Sequence, residues 1–229
     1  MPLPIRAIGP VFTPRHLANL VWWIDPSDSS ALTLDGTSGK ITTITDRGPN
    51  SRNATQTTDA NRASVGTLNG LRCLDFGNAS SSIQYTMTAT AAQEICAVCI
   101  DDTTGSTFAE YYCIASSAGG GVLQAYQNQS LWYEISVFGN NFLTNGISGR
   151  GDGASPSLKA TVQGGAVAFS WSTSGTTNIT RLGSDGSPGR SWRGRIGEVC
   201  LFSSELPTEQ RRRMRLYLAS KWSIPGAIY

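Results

Sequence analysis

A few groups of side chains in this sequence have the type and spacing to do chemistry. Tyr126, Trp132, Tyr133 and Trp171 are aromatics inside strand-like runs, with Gln124, Gln127 and Asn128 close by in sequence. Aromatic rings stack on pyranose faces and side-chain amides bond sugar hydroxyls. Trp132, Tyr126, Gln124 and Trp171 are therefore the candidate carbohydrate-binding residues. Alternate residues of a strand share a face, which groups Gln124 with Tyr126 and Trp132 with Glu134. Glycoside hydrolysis needs two carboxylates roughly 5 to 10 Å apart. Glu134 in "LWYEISVF" is the only glutamate among strand aromatics and has no partner in its run. No catalytic residue is assigned, and the chain reads as no enzyme. Glu198 in "RIGEVCLF" reads as structural, bonded to backbone or to an arginine near the closing helix. The only histidine, His16, lies beside no strand, so no Ser-His-Asp set forms.

The five cysteines are Cys73, Cys96, Cys99, Cys113 and Cys200. Cys96 and Cys99 make a C-x-x-C inside the strand-like "EICAVCID". Positions three apart on a strand face opposite ways, which argues against a redox corner or a zinc knuckle. An odd count with no secretion signal reads as buried thiols, and no metal is assigned. Asp152 in "GRGDGAS" and Asp185 in "GSDGSPG" sit in glycine-rich loops. Calcium needs several converging oxygens, and neither loop supplies a spaced set. Calcium is the one cofactor left open, and the Arg-Gly-Asp triplet at 150–152 reads as chance.

The elements that must position these groups are mostly strands. The chain has 229 residues, 25 of them glycine, with 39% hydrophobic and only 15% charged, a composition that suits an all-β domain. A net charge of +2 gives no case for nucleic acid. No run of about 18 apolar residues exists, which excludes membrane insertion by a helix. Residues 1–16 read as an extended arm stiffened by Pro2, Pro4, Pro10 and Pro14, with no charged and apolar leader pattern. Pro4, Ile5 and Arg6 are candidate partner-binding residues on that arm. From residue 17 to 229 about a dozen short strands are punctuated by Gly, Ser and Asn, as in a sandwich or jelly roll. "GNNFLTNGISGRGDGASPS" reads as a polar loop. One helix closes the chain, over about 207–222. Met214, Tyr217, Leu218 and Trp222 form its apolar stripe, and Arg212, Arg213 and Arg215 fall off it. The helix is expected to be a lid. Its arginines are either a solvated face or, for Arg212 and Arg213, a partner-binding one.

Two long stretches carry a family resemblance. "LANLVWWIDPSDSSALTLDGTSGKITTITDRGPNSRNATQ" with "LNGLRCLDFGN", and "WRGRIGEVCLFSSELPTEQRRRMRLYLASKW", resemble concanavalin A-like domains of the laminin-G/pentraxin type, found in phage virion and bacterial surface proteins. The match covers roughly residues 17–76 and 192–222. It departs from the pattern at Ile44 (usually Trp), Pro49 (usually Gly) and Pro207 (usually a capping Ser). The resemblance implies a two-sheet antiparallel jelly-roll sandwich with a C-terminal helix. It further implies a non-catalytic accessory protein of a phage virion, as capsid decoration or tail-associated adhesin, with weak affinity for host-surface glycans. Phage capsid or tail proteins and other copies of the chain are the expected partners, and the virion, assembled in host cytoplasm, the expected location. A secreted or surface lectin and a glycan-cleaving enzyme are the alternatives.

Overall fold

The computed structural model describes the backbone of residues 12–77, 83–101, 111–117, 120–126, 131–133, 141–144, 147–152, 155–156, 167–184, 186 and 191–224. Side chains are described over 12–77, 83–100, 115–116, 176–184, 186 and 191–224. The strands are β1 (Leu20–Ile24), β2 (Leu32–Leu34), β3 (Ile41–Ile44), β4 (Ala54–Thr55), β5 (Ser64–Leu68), β6 (Leu71–Asp75), β7 (Tyr85–Asp101), β8 (Tyr111–Ser117), β9 (Gly120–Tyr126), β10 (Leu131–Tyr133), β11 (Asn141–Thr144), β12 (Ile147–Asp152), β13 (Ser155–Pro156), β14 (Val167–Leu182) and β15 (Gly194–Phe202). Helix α1 spans Thr208–Lys221.

The described strands pair antiparallel into one curled sheet, running β10-β9-β8-β14-β7-β15-β6-β5, with β1 added beside β15 and β2-β3-β4 joined through β7. The expected all-β class and single closing helix are both present among the described residues. Two long strands, β7 of 17 residues and β14 of 16, pair with each other along this curled sheet. "SIQYTMT" and "EICAVCID", which read as two short strands, contribute to one strand, β7, and "GAVAFSWS" and "TNITRLGS", which likewise read as two, contribute to β14. The register shifts between Ser172 and Thr177 and between Ile179 and Arg181. Such irregularities bend a strand and let a sheet curl without breaking. The supposed polar loop after residue 139 contains β11, β12 and β13, since main-chain pairing holds this glycine-rich segment extended despite its few apolar side chains.

Strand parity sorts the core into two clusters. Trp22, Ile24, Ile95, Ala97, Cys99, Ile196, Val199 and Leu201 belong to a first cluster with Ile41, Ile44, Leu74, Phe76 and Tyr85. Leu20, Trp23, Cys96, Val98, Ile100, Cys200 and Phe202 face the other way, onto Met214, Leu218 and Trp222 of α1. Cys96 and Cys99 fall on opposite faces, as their spacing predicts. Cys73, Cys96, Cys99 and Cys200 are buried thiols outside any disulfide, and the Cys113 side chain lies outside the described ones. Ile44 is fully buried where the related pattern has tryptophan.

The segment "TDRGPNSRNA" is clasped onto β1. Asp46 Oδ1 accepts from the main-chain N–H groups of Trp23 (3.0 Å) and Gly48 (2.7 Å), and Oδ2 from Arg52 N–H (2.8 Å). Trp22 Nε1 donates to the Arg52 carbonyl at 2.7 Å. Asn69 (φ 48°) and Gly70 (φ 84°) form the tight turn of the β5–β6 hairpin, as an Asn-Gly pair favours. Asn69 Nδ2 also donates to the Trp222 carbonyl at 2.7 Å, tying that turn to the end of α1.

Candidate functional site

Helix α1 lies on β7 and β14. Its N-cap is Pro207, which offers no side-chain acceptor. The entry to the helix is held by a strand residue instead. Glu94 on β7 is fully buried; its Oε2 accepts from Leu206 N–H at 2.6 Å, and its two oxygens accept from Arg211 Nε (2.8 Å) and Nη2 (2.9 Å). Burial pushes the Glu94 carboxyl up from its ordinary value, and the Arg211 guanidinium opposes that push.

A second buried carboxylate anchors the other end of the helix. Glu198 Oε1 accepts from Trp23 Nε1 (2.8 Å) and the Tyr217 hydroxyl (3.0 Å). Its Oε2 accepts from Lys221 Nζ (2.7 Å) and Trp222 Nε1 (2.9 Å). Lys221 also pairs with Asp25 at 2.6 Å. Burial raises the Glu198 carboxyl above its usual range, Lys221 counteracts this, and Asp25 reinforces it. The Tyr217 phenol is likewise pushed up, by burial and then by Glu198. Glu198 is structural, as expected, but its partners are two indoles, a phenol and a lysine rather than an arginine.

Outside this network α1 leaves an open groove. Phe12, Arg213, Leu216, Tyr217, Ser220 and Lys221 line a cavity of about 600 Å³. The Phe12 ring meets Tyr217 edge-on at 6.0 Å and stacks with His16 at 5.9 Å. The Arg213 guanidinium sits 4.6 Å from the Phe12 ring centroid, a cation–π contact. The Thr13 backbone N–H donates to His16 Nδ1 at 3.0 Å, closing a short 3-10 turn at Pro14–His16 that fixes Phe12 against the helix. Because the Tyr217 hydroxyl and the Lys221 ammonium turn inward to Glu198, the groove presents ring faces, Leu216 and aliphatic stems. The exposed Arg213 and Ser220 side chains keep part of its rim polar.

Arg213 belongs to this groove. Arg212 is exposed and pairs with Glu209 through contacts of 3.0 and 3.2 Å. Arg215 departs from the expected outer face: it is only 8% exposed, and its Nε and Nη1 make no hydrogen bond. It adjoins Met214 and stands one turn before Leu218, so the buried arc is wider than the apolar stripe. Arg211, unremarked in the sequence, is the arginine that holds the helix down. Its spacing could have shown this, since 211, 214, 218 and 222 share one face, and Glu94 shares strand parity with Cys96 and Val98.

Of the carbohydrate-binding candidates, only the backbone is described. Gln124 and Tyr126 on β9 stand opposite Tyr133 and Leu131 of β10, and Trp132 stands opposite Ala125, one register step out of phase. Trp171 on β14 pairs with Phe142 of β11 and Ile95 of β7, whereas β8, the neighbour of β9, joins β14 ten residues later at Arg181 and Leu182. The pairing thus brings Gln124, Tyr126 and Trp132 into one hairpin and keeps Trp171 in another part of the sheet. Asp152 ends β12, and Arg150 pairs with Asn141, so the Arg-Gly-Asp triplet is on a strand rather than in a loop. Pro4, Ile5, Arg6, Glu134 and Asp185 lie outside the described residues.

No family model and no curated protein matches this chain. Among solved structures it is similar to Trypanosoma rangeli sialidase, at 12% identity and a TM-score of 0.46, over 91% of this chain and 34% of that one. The same sialidase with the inhibitor DANA gives 11% identity and a TM-score of 0.44, over 86% and 33%. A mutant of it displaying trans-sialidase activity gives 13% and 0.40, over 90% and 34%. The chain therefore spans about a third of the length of those sialidases.

Proposed function

We propose that this chain is a non-catalytic attachment module of a phage virion, built as a concanavalin A-like two-sheet sandwich, with its arm and closing helix as the attachment face. The observation that carries this reading is the groove that Phe12, at the start of the described chain, forms with the last helix. Two distant parts of the sequence converge on an open aromatic surface, while the buried carboxylates under the helix, Glu94 at its entry and Glu198 at its far end, are consumed in structural bonds. A carboxylate saturated by fixed donors and held under a helix is not free to act as acid or nucleophile. The motif resemblance at both ends of the chain supports the sandwich and the virion setting. The β9–β10 hairpin, with Gln124 and Tyr126 at one strand parity and Trp132 at the other, is the proposed glycan-contacting part, and calcium has no proposed role.

Incubation of the purified chain with host surface polysaccharides tests the non-catalytic part. The expected result is retention on glycan without release of reducing ends, weakened at least tenfold by Trp132→Ala. Release of reducing ends that Glu134→Gln abolishes would make the chain a glycan-cleaving enzyme and overturn the proposal.

A further inference from the structure

We infer that Cys96 and Cys200 form a cross-strand disulfide site, closed to oxidant while α1 is docked and opened when the helix lifts from the sheet. The two cysteines stand directly opposite each other on β7 and β15. Both face the cluster that Met214, Leu218 and Trp222 of the helix cover. Residues directly opposite on antiparallel strands have Cα atoms about 4.5 or 5.5 Å apart, and a disulfide spans roughly 4.4–6.8 Å. The Cβ separations of the two cases meet at about 4.5 Å. Either kind of ladder position therefore brings the sulfurs within bonding reach with little backbone movement. Among the described strands no other two cysteines stand opposite each other. Cys73 stands opposite Gly66, Cys99 opposite Ile196 and Val167, and Cys113 opposite Gln124.

The helix that covers the pair is pinned on both sides of it. Two residues before each cysteine, on the same strand face, is a carboxylate that holds α1. Glu94 precedes Cys96 and binds Arg211; Glu198 precedes Cys200 and binds Tyr217 and Lys221. Glu94 stands opposite Phe202 and Glu198 opposite Val98, so the thiol pair lies between the two anchors. Both thiols are fully buried. Burial pushes both well above the ordinary thiol range, reinforced by Glu94 at Cys96 and by Glu198 at Cys200. The thiolate is the attacking species in disulfide exchange, so a docked helix withholds both the nucleophile and the path of the oxidant. Lifting α1 uncovers the pair without unpairing β7 and β15, whose main-chain bonds do not involve the helix. The oxidant is a small disulfide such as oxidised glutathione. One protein thiolate attacks it, its S–S bond breaks, and one glutathione leaves. The second protein thiolate attacks the mixed disulfide and releases the other glutathione. Two protein S–H bonds give way to one S–S bond, and the two electrons and two protons end on the two glutathione thiols.

Incubation of the full chain with oxidised glutathione, followed by intact mass and peptide mapping, tests this. The expected product is a protein lighter by two hydrogens with a Cys96–Cys200 link, and neither Cys96→Ser nor Cys200→Ser forms it. The unaltered chain should form it slowly and Arg212→Ala at the same rate, because that exposed arginine does not hold the helix. Trp222→Ala loosens the lid and should form it at least about tenfold faster, since local opening then sets the rate. Should Trp222→Ala fail to fold, the unaltered chain in sub-denaturing urea takes its place, with the same product and acceleration expected. A link between other cysteines, glutathione adducts alone, or no reaction with the helix loosened overturns the disulfide site. A Cys96–Cys200 link that forms equally fast with the helix docked and loosened overturns the guarding role of α1.

Discussion

Replacing Glu198 by glutamine probes the joint between sheet and helix with almost no change in shape. The carboxylate is fully buried and accepts from four donors, Trp23 Nε1, Tyr217 Oη, Lys221 Nζ and Trp222 Nε1, at 2.7 to 3.0 Å. Glutamine keeps one acceptor oxygen and turns the other into a donor. Its less costly orientation points the amide NH₂ at the Tyr217 hydroxyl, which can rotate to accept, and leaves the Trp23 indole N–H unsatisfied. An orphaned buried donor costs about 1–3 kcal/mol, and neutralising a charge-assisted bond to Lys221 costs about 1.5–3 more. Relief of burying a charge returns part of this, because burial already disfavours the ionised form. The net expectation is about 2–4 kcal/mol, or a fall in Tm of roughly 5–15 °C for a chain of this size. Urea unfolding followed by tryptophan fluorescence is the assay, with a lower midpoint at an unchanged slope as the signature. A change below about 0.5 kcal/mol would refute the claim that this carboxylate is held by four donors in a dry site.

Adjacent arginines should behave oppositely: Arg211→Met strands Glu94 and should cost about 3–5 kcal/mol in chemical denaturation, whereas Arg212→Ala removes only an exposed pair and should stay within about 0.5 kcal/mol. Trp222→Ala empties a fully buried site under the helix and should cost about 3–5 kcal/mol by the same measurement. Gly183→Ala should be severe, since it has φ +84° and a Cβ there would collide with the Phe76 ring; loss of soluble expression or a large fall in Tm is the readout. Asp35 is held down to about 2 by the backbone N–H groups of Ser38 and Thr37, with Arg62 assisting. Its folded pKa is below its unfolded one, so its contribution is present above about pH 3.8 and disappears as pH falls through 2. Asp35→Asn should therefore lower stability at neutral pH and flatten the acid limb of a Tm-against-pH curve.

Where a pattern depended on local parity, the sequence could be read directly. The split of Cys96 and Cys99 between two faces and the burial of Met214, Leu218 and Trp222 follow from periods of two and 3.6, and the Asn69-Gly70 turn from the tolerance of that pair for positive φ. The length of β7 did not. "ATAAQ", between "SIQYTMT" and "EICAVCID", has no large apolar residue and reads as a break, yet it stays extended because β14 pairs with Thr90, Ala91 and Ala92. The division of labour among Arg211, Arg212, Arg213 and Arg215 was also hidden, because it depends on where Glu94 and Phe12 arrive from distant parts of the chain. The groove was invisible for the same reason: neither the arm nor the helix makes it alone.

Particle attachment is measured by quantitative mass spectrometry on density-purified virions, as copies of this chain per copy of the major shell protein. A fixed stoichiometry is expected, with hundreds of copies marking capsid decoration and a handful marking a tail adhesin. Absence of the chain from purified particles, with the protein recovered free and glycan-bound, would contradict it and leave a lectin.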